Sequence, residues 1–293
     1  SQFHQLRGLP APKHPLISVI DFSDMRKSPK IGQENLIFDF YMVSLKRDMG
    51  HRYRYGQQDY DFDEGIMFCM APHQLLSVIR EENGKSPTGL MLMVHPDFLY
   101  GTALAKSIKD YEFFDYSANE ALFLSQDEEI KIKQIMESII GEYQTHIDRF
   151  SQHIMIAQLE TLLNYTQRFY QRQFITRGKA SHQFLQQLDE LLEAYLAKKD
   201  FKTMGLPSVQ YLSSKLNMSP QYMRSLLRSL TGQTTQQHIH EKLIEKAKET
   251  LSTTELSVSE IAYALGFEHS QSFSKLFKAK TNVSPLEFRR SFN

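Results

Sequence analysis

The spacing of hydrophobic positions changes near residue 125 and divides the chain into two kinds of structure. From about Ile17 to Phe114, short runs rich in aromatic and β-branched residues, such as Leu36–Leu45 and Leu90–His95, are separated by Gly, Pro and acidic residues. Many short strands at such spacing are typical of a β-barrel or a double-sheet jelly roll. After Ser125 the hydrophobic residues recur at helical spacing. The pattern therefore predicts a β-rich N-terminal region followed by helices.

Two amphipathic helices are predicted directly after the strands. The first begins at Ser125, a good N-cap with acidic residues in the turn that follows. The second begins near Phe150 and carries hydrophobic residues that step by 4, 3, 4 and 3, a seam of about two heptads. The residues of this seam are Met155, Leu159, Leu162, Thr166 and Phe169. The seam is suited either to a partner helix, which would make the chain a homodimer, or to packing within one chain.

One hydrophobic pattern occurs twice in about the last ninety residues. Residues 209–232 and residues 258–282 each predict a short helix, a turn and a second helix. Met223, Leu227 and Gly232 of the first copy match Phe273, Phe277 and Asn282 of the second at an offset of 50. A helix-turn-helix unit lays its first helix across the DNA backbone and its second in the major groove. Two units in one chain are suited to reading two successive grooves without a partner subunit.

In each copy the hydrophobic stripe leaves polar residues exposed on the second helix. Ser219 is the predicted N-cap of that helix in the first copy, and Pro220 follows at N1, where its missing N–H costs nothing. Gln pairs with adenine edges, Arg and Lys reach guanine, and small hydroxyl residues fit close to the groove floor. The predicted DNA-contacting residues are Gln221, Arg224, Ser225 and Arg228 in the first copy, and Ser270, Gln271, Ser272, Lys275 and Lys278 in the second.

A further helix is predicted between the two copies, from Thr235 to about Leu251. Its length of about 25 Å, at about 1.5 Å per residue, is suited to holding two recognition helices about one DNA turn, roughly 34 Å, apart. For a single copy, exposure to solvent is an alternative explanation of a polar helix face. Two copies with matching caps, stripes and turns favour DNA binding instead.

Residues 171–181 are polar and basic and include Gly178, and we predict that they link an N-terminal domain, residues 1–170, to a C-terminal domain, residues 182–293.

The formal net charge of zero conceals an uneven distribution of charge along the chain. Residues 176–293 carry 16 Lys and Arg against 11 Asp and Glu, whereas the rest of the chain carries 18 against 23. A basic C-terminal half is what a phosphate-contacting module needs.

The composition is that of a soluble globular protein with room for two domains, because 41% of its 293 residues are hydrophobic and 23% are charged. Apolar runs such as residues 65–70 and 89–94 are far too short to span a bilayer, and the N-terminus lacks the features of a signal peptide. The single cysteine, Cys69, excludes an intrachain disulfide and suits a reducing compartment. We therefore expect a cytoplasmic protein without a membrane partner.

The second copy also resembles the signature of the AraC/XylS transcription regulators. The resemblance covers roughly residues 185–293 and rests on Ile261, Ala262, Gly266, Phe267, residues 273–278, Ser284, Pro285, Phe288 and Arg289. The chain departs from the family at Asn282, where the family usually has Gly, but Asn tolerates the left-handed conformation that a helix end needs. Ser225 and Lys275 stand where the family often carries Arg, so the DNA sequence that the family prefers cannot be transferred.

The resemblance implies an α+β fold class with an all-α C-terminal domain. That domain would have seven helices and two helix-turn-helix units, with one recognition helix in each of two consecutive major grooves. Carried over by position, the base contacts fall on Gln221, Arg224, Ser225, Gln271, Ser272 and Lys275. More loosely, the resemblance implies a cupin-like β-barrel over residues 1–170 that holds a small effector, followed by two helices that often dimerise. RNA polymerase is the further partner that it implies.

The N-terminal residues contain candidates for an effector pocket but no closely spaced metal ligands. The candidates for an effector pocket are aromatic strand residues, which line protein cores more often than pockets: Phe38, Phe40, Tyr53, Tyr55 and Phe68. A catalytic cupin needs closely spaced metal ligands, usually His-x-His, whereas His51, His73 and His95 are isolated. Cys69 lies in an apolar run with no basic neighbour and is predicted as a core residue. We therefore expect no metal site, no cofactor and no catalytic residue.

The sequence thus predicts a sequence-specific DNA-binding transcription regulator, with double-stranded DNA as its partner and an N-terminal barrel that senses a small molecule. Two alternatives stay open: a cupin-type enzyme tethered to DNA, and a ligand-independent architectural DNA binder. Stoichiometric iron, manganese or zinc in the purified protein would favour the enzyme. A DNA affinity that no metabolite changes would favour the architectural binder.

Overall fold

The structure is a computed structural model that describes residues 2–25, 32–47, 54–55, 58–59, 65–80, 88–117, 120–145, 148, 150–176, 178–197 and 205–291. The chain folds into two compact units, Ser1–Gln173 and Phe174–Asn293. Strands occur in the first unit, whereas the described part of the second is helical. Among the described residues, no helix is long and apolar enough to cross a membrane. The predicted mixed fold with an all-helical C-terminal region is confirmed.

The strands of the first unit are short and antiparallel. They are β1 (Ile17–Asp21), β2 (Gly32–Ile37), β3 (Tyr41–Arg47), β4 (Arg54–Tyr55), β5 (Gln58–Asp59), β6 (Ile66–Met70), β7 (Leu75–Arg80), β8 (Thr88–Val94) and β9 (Leu122–Phe123). Five of them form one sheet in the order β1-β8-β3-β6-β9, with Val43 opposite Cys69 on one side and Leu92 on the other. The central strands β3 and β8 are buried at most of their positions, which explains why their apolar runs are nearly continuous.

The predicted closed barrel is not confirmed. Within the described strands, β2 pairs only with β7 and β4 only with β5, so two small sheets stand apart from the five-stranded sheet in hydrogen bonding. Leu76 of β7 packs against a core cluster that includes Met42, Met91 and Met93 of the large sheet. The two-stranded sheet therefore covers part of the large sheet by side-chain packing. This arrangement is closer to a double sheet than to a closed barrel.

The helices begin and end largely where the capping signals predict. They are α1 (Gln2–Leu6), α2 (Leu104–Ser107), α3 (Gln126–Gln144), α4 (Ser151–Thr176), α5 (Gly178–Leu196), α6 (Val209–Lys215), α7 (Pro220–Thr231), α8 (Thr235–Thr253), α9 (Val258–Ala264), α10 (Ser270–Thr281) and α11 (Pro285–Arg290). Ser125 forms a capping box with Glu128 at the start of α3 and confirms the predicted N-cap.

The seam predicted on α4 as a candidate dimer contact is buried within one chain. All five of its residues are buried: Met155, Leu159, Leu162, Thr166 and Phe169. Gln158 Nε2 donates a hydrogen bond to Ser138 Oγ at 2.8 Å and so joins α4 to α3. The assignment of this seam to a partner helix is therefore wrong. Heptad spacing does not distinguish a partner's helix from a helix of the same chain.

The stretch predicted as a linker, residues 171–181, is helical on both sides of residue 177, which lies outside the described residues. Its polar residues fasten the end of α4 to β9. Gln173 accepts a hydrogen bond from the backbone N–H of Phe123 at 2.8 Å and donates one to the carbonyl of Ala121 at 3.2 Å. Arg172 pairs with Glu128 at the start of α3. Two polar residues of this stretch, Arg172 and Gln173, thus make contacts within the first unit.

Truncating the α4 seam should destabilise the first unit rather than disrupt an assembly. Leu162 is 0% exposed, so L162A is expected to lower the free energy of unfolding by about 2–5 kcal/mol. Ile154 on the same helix is 41% exposed, and I154A serves as the control with a much smaller loss. Urea unfolding followed by circular dichroism measures both. If L162A lost self-association without losing stability, the seam would instead be a dimer contact.

Candidate functional site

The first helix-turn-helix unit is formed by α6 and α7 and is capped by hydroxyl side chains. Ser208 caps α6, and Ser219 caps α7 by accepting a hydrogen bond from a backbone N–H at 3.2 Å. Between the helices Asn217 adopts a left-handed conformation, with φ of 54°. Gly232 ends α7 with φ of 72°, and its N–H donates to the carbonyl of Arg228. Ser219 and Pro220 therefore take the positions that the sequence predicts, and Gly232 forms the C-cap.

The second unit, formed by α9 and α10, repeats this backbone with one exception. Ser257 and Glu260 make a capping box at the start of α9, and Gly266 takes the left-handed turn position with φ of 80°. Asn282 ends α10 with φ of 65°, in the position that matches Gly232. The exception is His269, the N-cap of α10, whose side chain makes no capping hydrogen bond. The two units thus share their turns and helix ends but differ where the second recognition helix begins.

The predicted hydrophobic stripes of α7 and α10 are confirmed. Met223 and Leu227 are fully buried in the first unit, as are Phe273 and Phe277 in the second. The rings of Phe273 and Phe277 lie 5.8 Å apart, and the ring of Phe288 on α11 packs edge-on against Phe277 at 5.5 Å. These contacts fix which faces of the recognition helices are left to solvent.

Most of the predicted DNA-contacting residues lie on those free faces. Gln221 and Ser270 are half-buried near the N-termini of α7 and α10, and the exposed residues are Arg224, Arg228, Gln271, Ser272, Lys275 and Lys278. Arg224 Nη1 donates a hydrogen bond to Gln221 Oε1 at 3.0 Å, so these two neighbours are already joined on the surface of α7.

Ser225 does not lie on the free face. It is 8% exposed, and its hydroxyl donates to the backbone carbonyl of Gln221 at 3.0 Å. The expectation that Ser225 is exposed for a base contact is therefore wrong. Tyr222 was missed as a core residue: it is buried, and its ring packs edge-on against Phe174 at 5.1 Å. With Tyr222 and Ser225 turned inward, α7 presents a narrower polar surface than α10.

The long helix α8 holds both units together. It packs against α5, α7, α9, α10 and α11, and its buried residues are Thr235, Ile239, Leu243, Ile244, Ala247 and Leu251. Asp189 on α5 contacts His238 at 2.9 Å and Lys242 at 3.1 Å, which ties α8 to α5. Burial alone would lower the pKa of Lys242, but its hydrogen bond and charge pair with Asp189 raise it above the usual value.

The first unit contains a cavity of about 630 Å³ beside α1 and the β1 and β2 strands. Its lining includes Phe3, His4, His14, Phe38, Phe40 and Met93. Two of the five predicted effector residues, Phe38 and Phe40, are among them. Phe68 is not among them, and the Lys46 ammonium lies over its ring at 5.1 Å. Tyr53 and the side chain of Tyr55 lie outside the described residues.

Sequence reasoning missed the contribution of residues 2–18 to this cavity, because it considered only aromatic residues of strands. His4 is buried, with its Nε2 2.8 Å from Ser18 Oγ and its Nδ1 2.5 Å from the carbonyl of Pro10. Burial also lowers the pKa of His14. The cavity is therefore mainly apolar with a few polar groups, the composition that small-molecule sites usually have.

Within the described residues, no three His, Cys, Asp or Glu side chains come together in a metal-binding arrangement. His73 lies 3.3 Å from Asp39, whereas His95 caps a short 3-10 helix and packs against the ring of Phe40. Burial raises the pKa of the Cys69 thiol, which confirms the prediction of a core residue.

Comparisons with known proteins find helix-turn-helix regulators. A family model described as a helix-turn-helix domain matches residues 212–291. An uncharacterised HTH-type transcriptional regulator in the cgkA 5′ region of Pseudoalteromonas carrageenovora is 31% identical over 99 residues, which cover 34% of this chain and 57% of that protein. The HTH-type transcriptional activator RhaS of Escherichia coli is 33% identical over 79 residues, 27% of this chain and 28% of that protein. The chain thus covers 57% of the length of the first relative and 28% of the length of the second.

Among solved structures, the DNA-binding domain of AdpA in complex with a target DNA is similar to this chain at 23% identity. The match covers 37% of this chain and 91% of that one, with a TM-score of 0.32.

The missing cap of α10 generates a prediction about stability. His269 stands where the first unit has Ser219, so H269S should supply the absent hydrogen bond and raise the free energy of unfolding by about 0.5–1 kcal/mol. S219A should lower it by about 0.5–2 kcal/mol. Urea unfolding of the full chain measures both changes. A neutral or destabilising H269S would mean that His269 makes an equivalent contact of its own.

Proposed function

We propose that the chain is a sequence-specific transcriptional regulator whose C-terminal unit is a DNA-binding domain of the AraC/XylS family. In this proposal α7 and α10 are the recognition helices and enter two consecutive major grooves of one duplex. The observation that supports it best is the repetition of one backbone arrangement, with left-handed turns at Asn217 and Gly266 and left-handed helix ends at Gly232 and Asn282. Both units pack on the same helix, α8.

The length of α8 suits two adjacent grooves. Its 19 residues span about 28 Å at about 1.5 Å per residue. Successive major grooves on one face of B-DNA lie roughly 34 Å apart. A bridging helix of this length is therefore of the same order as the separation of two adjacent grooves.

The free faces of the two helices support different base contacts. Arg224 and Arg228 on α7 are suited to guanine, whereas Gln271 on α10 is suited to adenine. Ser272 is short enough to let α10 approach the groove floor, and Lys275 reaches guanine or phosphate. Lys278 and the half-buried Ser270 are assigned to the DNA backbone, and Gln221 both contacts DNA and orients Arg224. Ser225 is withdrawn from the interface because it is buried.

The cavity of the first unit supports a second part of the proposal, the sensing of a small molecule. A volume of about 630 Å³ is within the range of sites for drug-sized ligands, and its aromatic lining with two histidines suits a largely apolar compound that carries a polar group. RNA polymerase as a partner, which rests on the family resemblance, and work in the cytoplasm, which rests on the composition, belong to the same proposal.

Alanine substitutions should separate base contacts from phosphate contacts on a duplex selected from a randomised library by the full chain. R224A is expected to lose about 1–3 kcal/mol of discrimination between base pairs in the groove that α7 contacts. Q271A is expected to lose the same amount in the groove that α10 contacts. K278A should weaken binding to all duplexes equally. It should also reduce the slope of log Kd against log salt concentration by about one. Fluorescence anisotropy over a series of substituted duplexes measures these effects.

The buried Ser225 supplies the matched control on the same helix. S225A should leave discrimination at every position within about 0.5 kcal/mol of the parent chain, because the hydroxyl faces the Gln221 carbonyl. If the parent chain binds random duplex as tightly as its selected duplex, sequence-specific regulation is refuted. If S225A loses as much discrimination as R224A, the assignment of the reading face of α7 is wrong.

The sensing proposal is tested with one cavity residue and one residue outside the cavity. Compounds that raise the melting temperature of the full chain are first found in a metabolite panel. F38A, which alters the cavity lining, should weaken their binding about tenfold or more, whereas F68A should leave it nearly unchanged. Isothermal titration calorimetry gives both values. Equal effects of the two variants would place the ligand elsewhere.

A further inference from the structure

One carboxylate on the bridging helix contacts the residue that directly follows the first helix-turn-helix unit and a residue of the second unit. Glu241 lies in the second turn of α8. Its Oε2 accepts a hydrogen bond from Gln233 Nε2 at 2.7 Å, and its Oε1 accepts one from Lys280 Nζ at 3.2 Å. The first partner follows α7 and the second belongs to α10, so this side chain joins elements that are 47 residues apart in the sequence.

Both partners stand at the C-terminal end of a recognition helix. Gln233 directly follows Gly232, the left-handed residue that ends α7, and its backbone N–H donates to Thr231 Oγ1 at 3.1 Å. Lys280 lies in the last turn of α10, two residues before the left-handed Asn282. The carboxylate therefore connects corresponding ends of two helices whose N-terminal parts carry the proposed base contacts.

The charge of Glu241 is maintained by these same contacts. The hydrogen bond from Gln233, and after it the hydrogen bond and charge of Lys280, lower the pKa of Glu241 below its usual value. The side chains of Glu241 and Lys280 are 41% and 31% exposed, so the pair is screened by water and salt and its effect is modest.

Other acidic residues of α8 behave differently. Glu245 pairs with Lys242 and Glu249 with Lys246, in each case within α8 itself. Lys242 also contacts Asp189 on α5, whereas the Lys246–Glu249 pair lies within α8 and stabilises that helix locally. Glu249 therefore offers a variant with the same change of charge on the same helix and without the same connection.

We propose that Glu241 is a positioning residue that sets the spacing and rotation of the two recognition helices relative to each other. The apolar contacts of α7 and α10 with α8 are non-directional, and hydrogen bonds at the helix ends add the direction that those contacts lack. The consequence for DNA, a preference for one spacing between the two halves of the site, rests on the function proposed above.

The geometric part is tested without DNA. Spin labels at S229C on α7 and A279C on α10, both exposed positions, report the distance between the recognition helices by pulsed electron resonance in a full chain that carries C69A. E241A and K280A should each broaden the distance distribution, and the double variant should broaden it no further than either alone. E241Q, which keeps an acceptor oxygen, should have an intermediate effect. E249A should match the parent chain.

The DNA part uses the selected duplex and the same duplex with one base pair inserted between its two halves. The Kd for the duplex with the insertion, divided by the Kd for the selected duplex, measures the preference for one spacing. This ratio should fall about two- to fivefold in E241A, as expected for loss of a partly exposed ion pair, and stay unchanged in E249A. Both variants lose one negative charge, so their general attraction to DNA changes alike.

A distance distribution in E241A that matches that of E249A overturns the proposal. So does an unchanged Kd ratio in E241A when the parent chain discriminates between the two duplexes. If the parent chain selects no DNA sequence, the proposed function fails, and the spin-label distances still decide the role of Glu241.

Discussion

The burial of two helix-turn-helix units on one shared helix is the constraint on which the C-terminal unit depends. A helix of seven residues and one of twelve are too small to enclose their own hydrophobic stripes. The helix α8 supplies the missing surface, with Leu243 and Ala247 fully buried at its centre. Both recognition helices pack on α8, so this helix relates their free faces to each other. The proposed reading of two grooves by a single chain follows from this arrangement.

Local signals in the sequence predict the C-terminal unit well, because its caps and stripes are local features. Ser219, Gly232 and Asn282 take the conformations that their residue types favour, and Phe273 is buried as its spacing requires. The inward position of Ser225 could not be predicted in the same way. It depends on the rotation of α7, and the ring of Tyr222 packs against the ring of Phe174, 48 residues earlier in the chain. Helical periodicity leaves that rotation undetermined at the edges of a stripe.

In the first unit, the sequence predicts the local elements but not how they pair and pack. Strand runs were predictable from composition, but their pairing joins residues far apart in the chain, and the spacing of runs does not specify whether a sheet closes. The seam that ends at Phe169 illustrates the same limit, since its period is correct and its partner lies inside the chain. The cavity is partly lined by residues of α1 and the segment after it, which carry no strand signal. Sites built from remote segments are therefore seen only once the fold is known.

The central claim is that one chain places two recognition helices in two consecutive major grooves. Hydroxyl-radical footprinting of the full chain on its selected duplex, at a concentration where a single chain is bound, tests it most directly. The account predicts two protected patches on one face of the duplex, about 10–10.5 base pairs apart. R224A should remove protection from one patch and Q271A from the other. A single protected patch per chain, or two patches on opposite faces, would contradict the account.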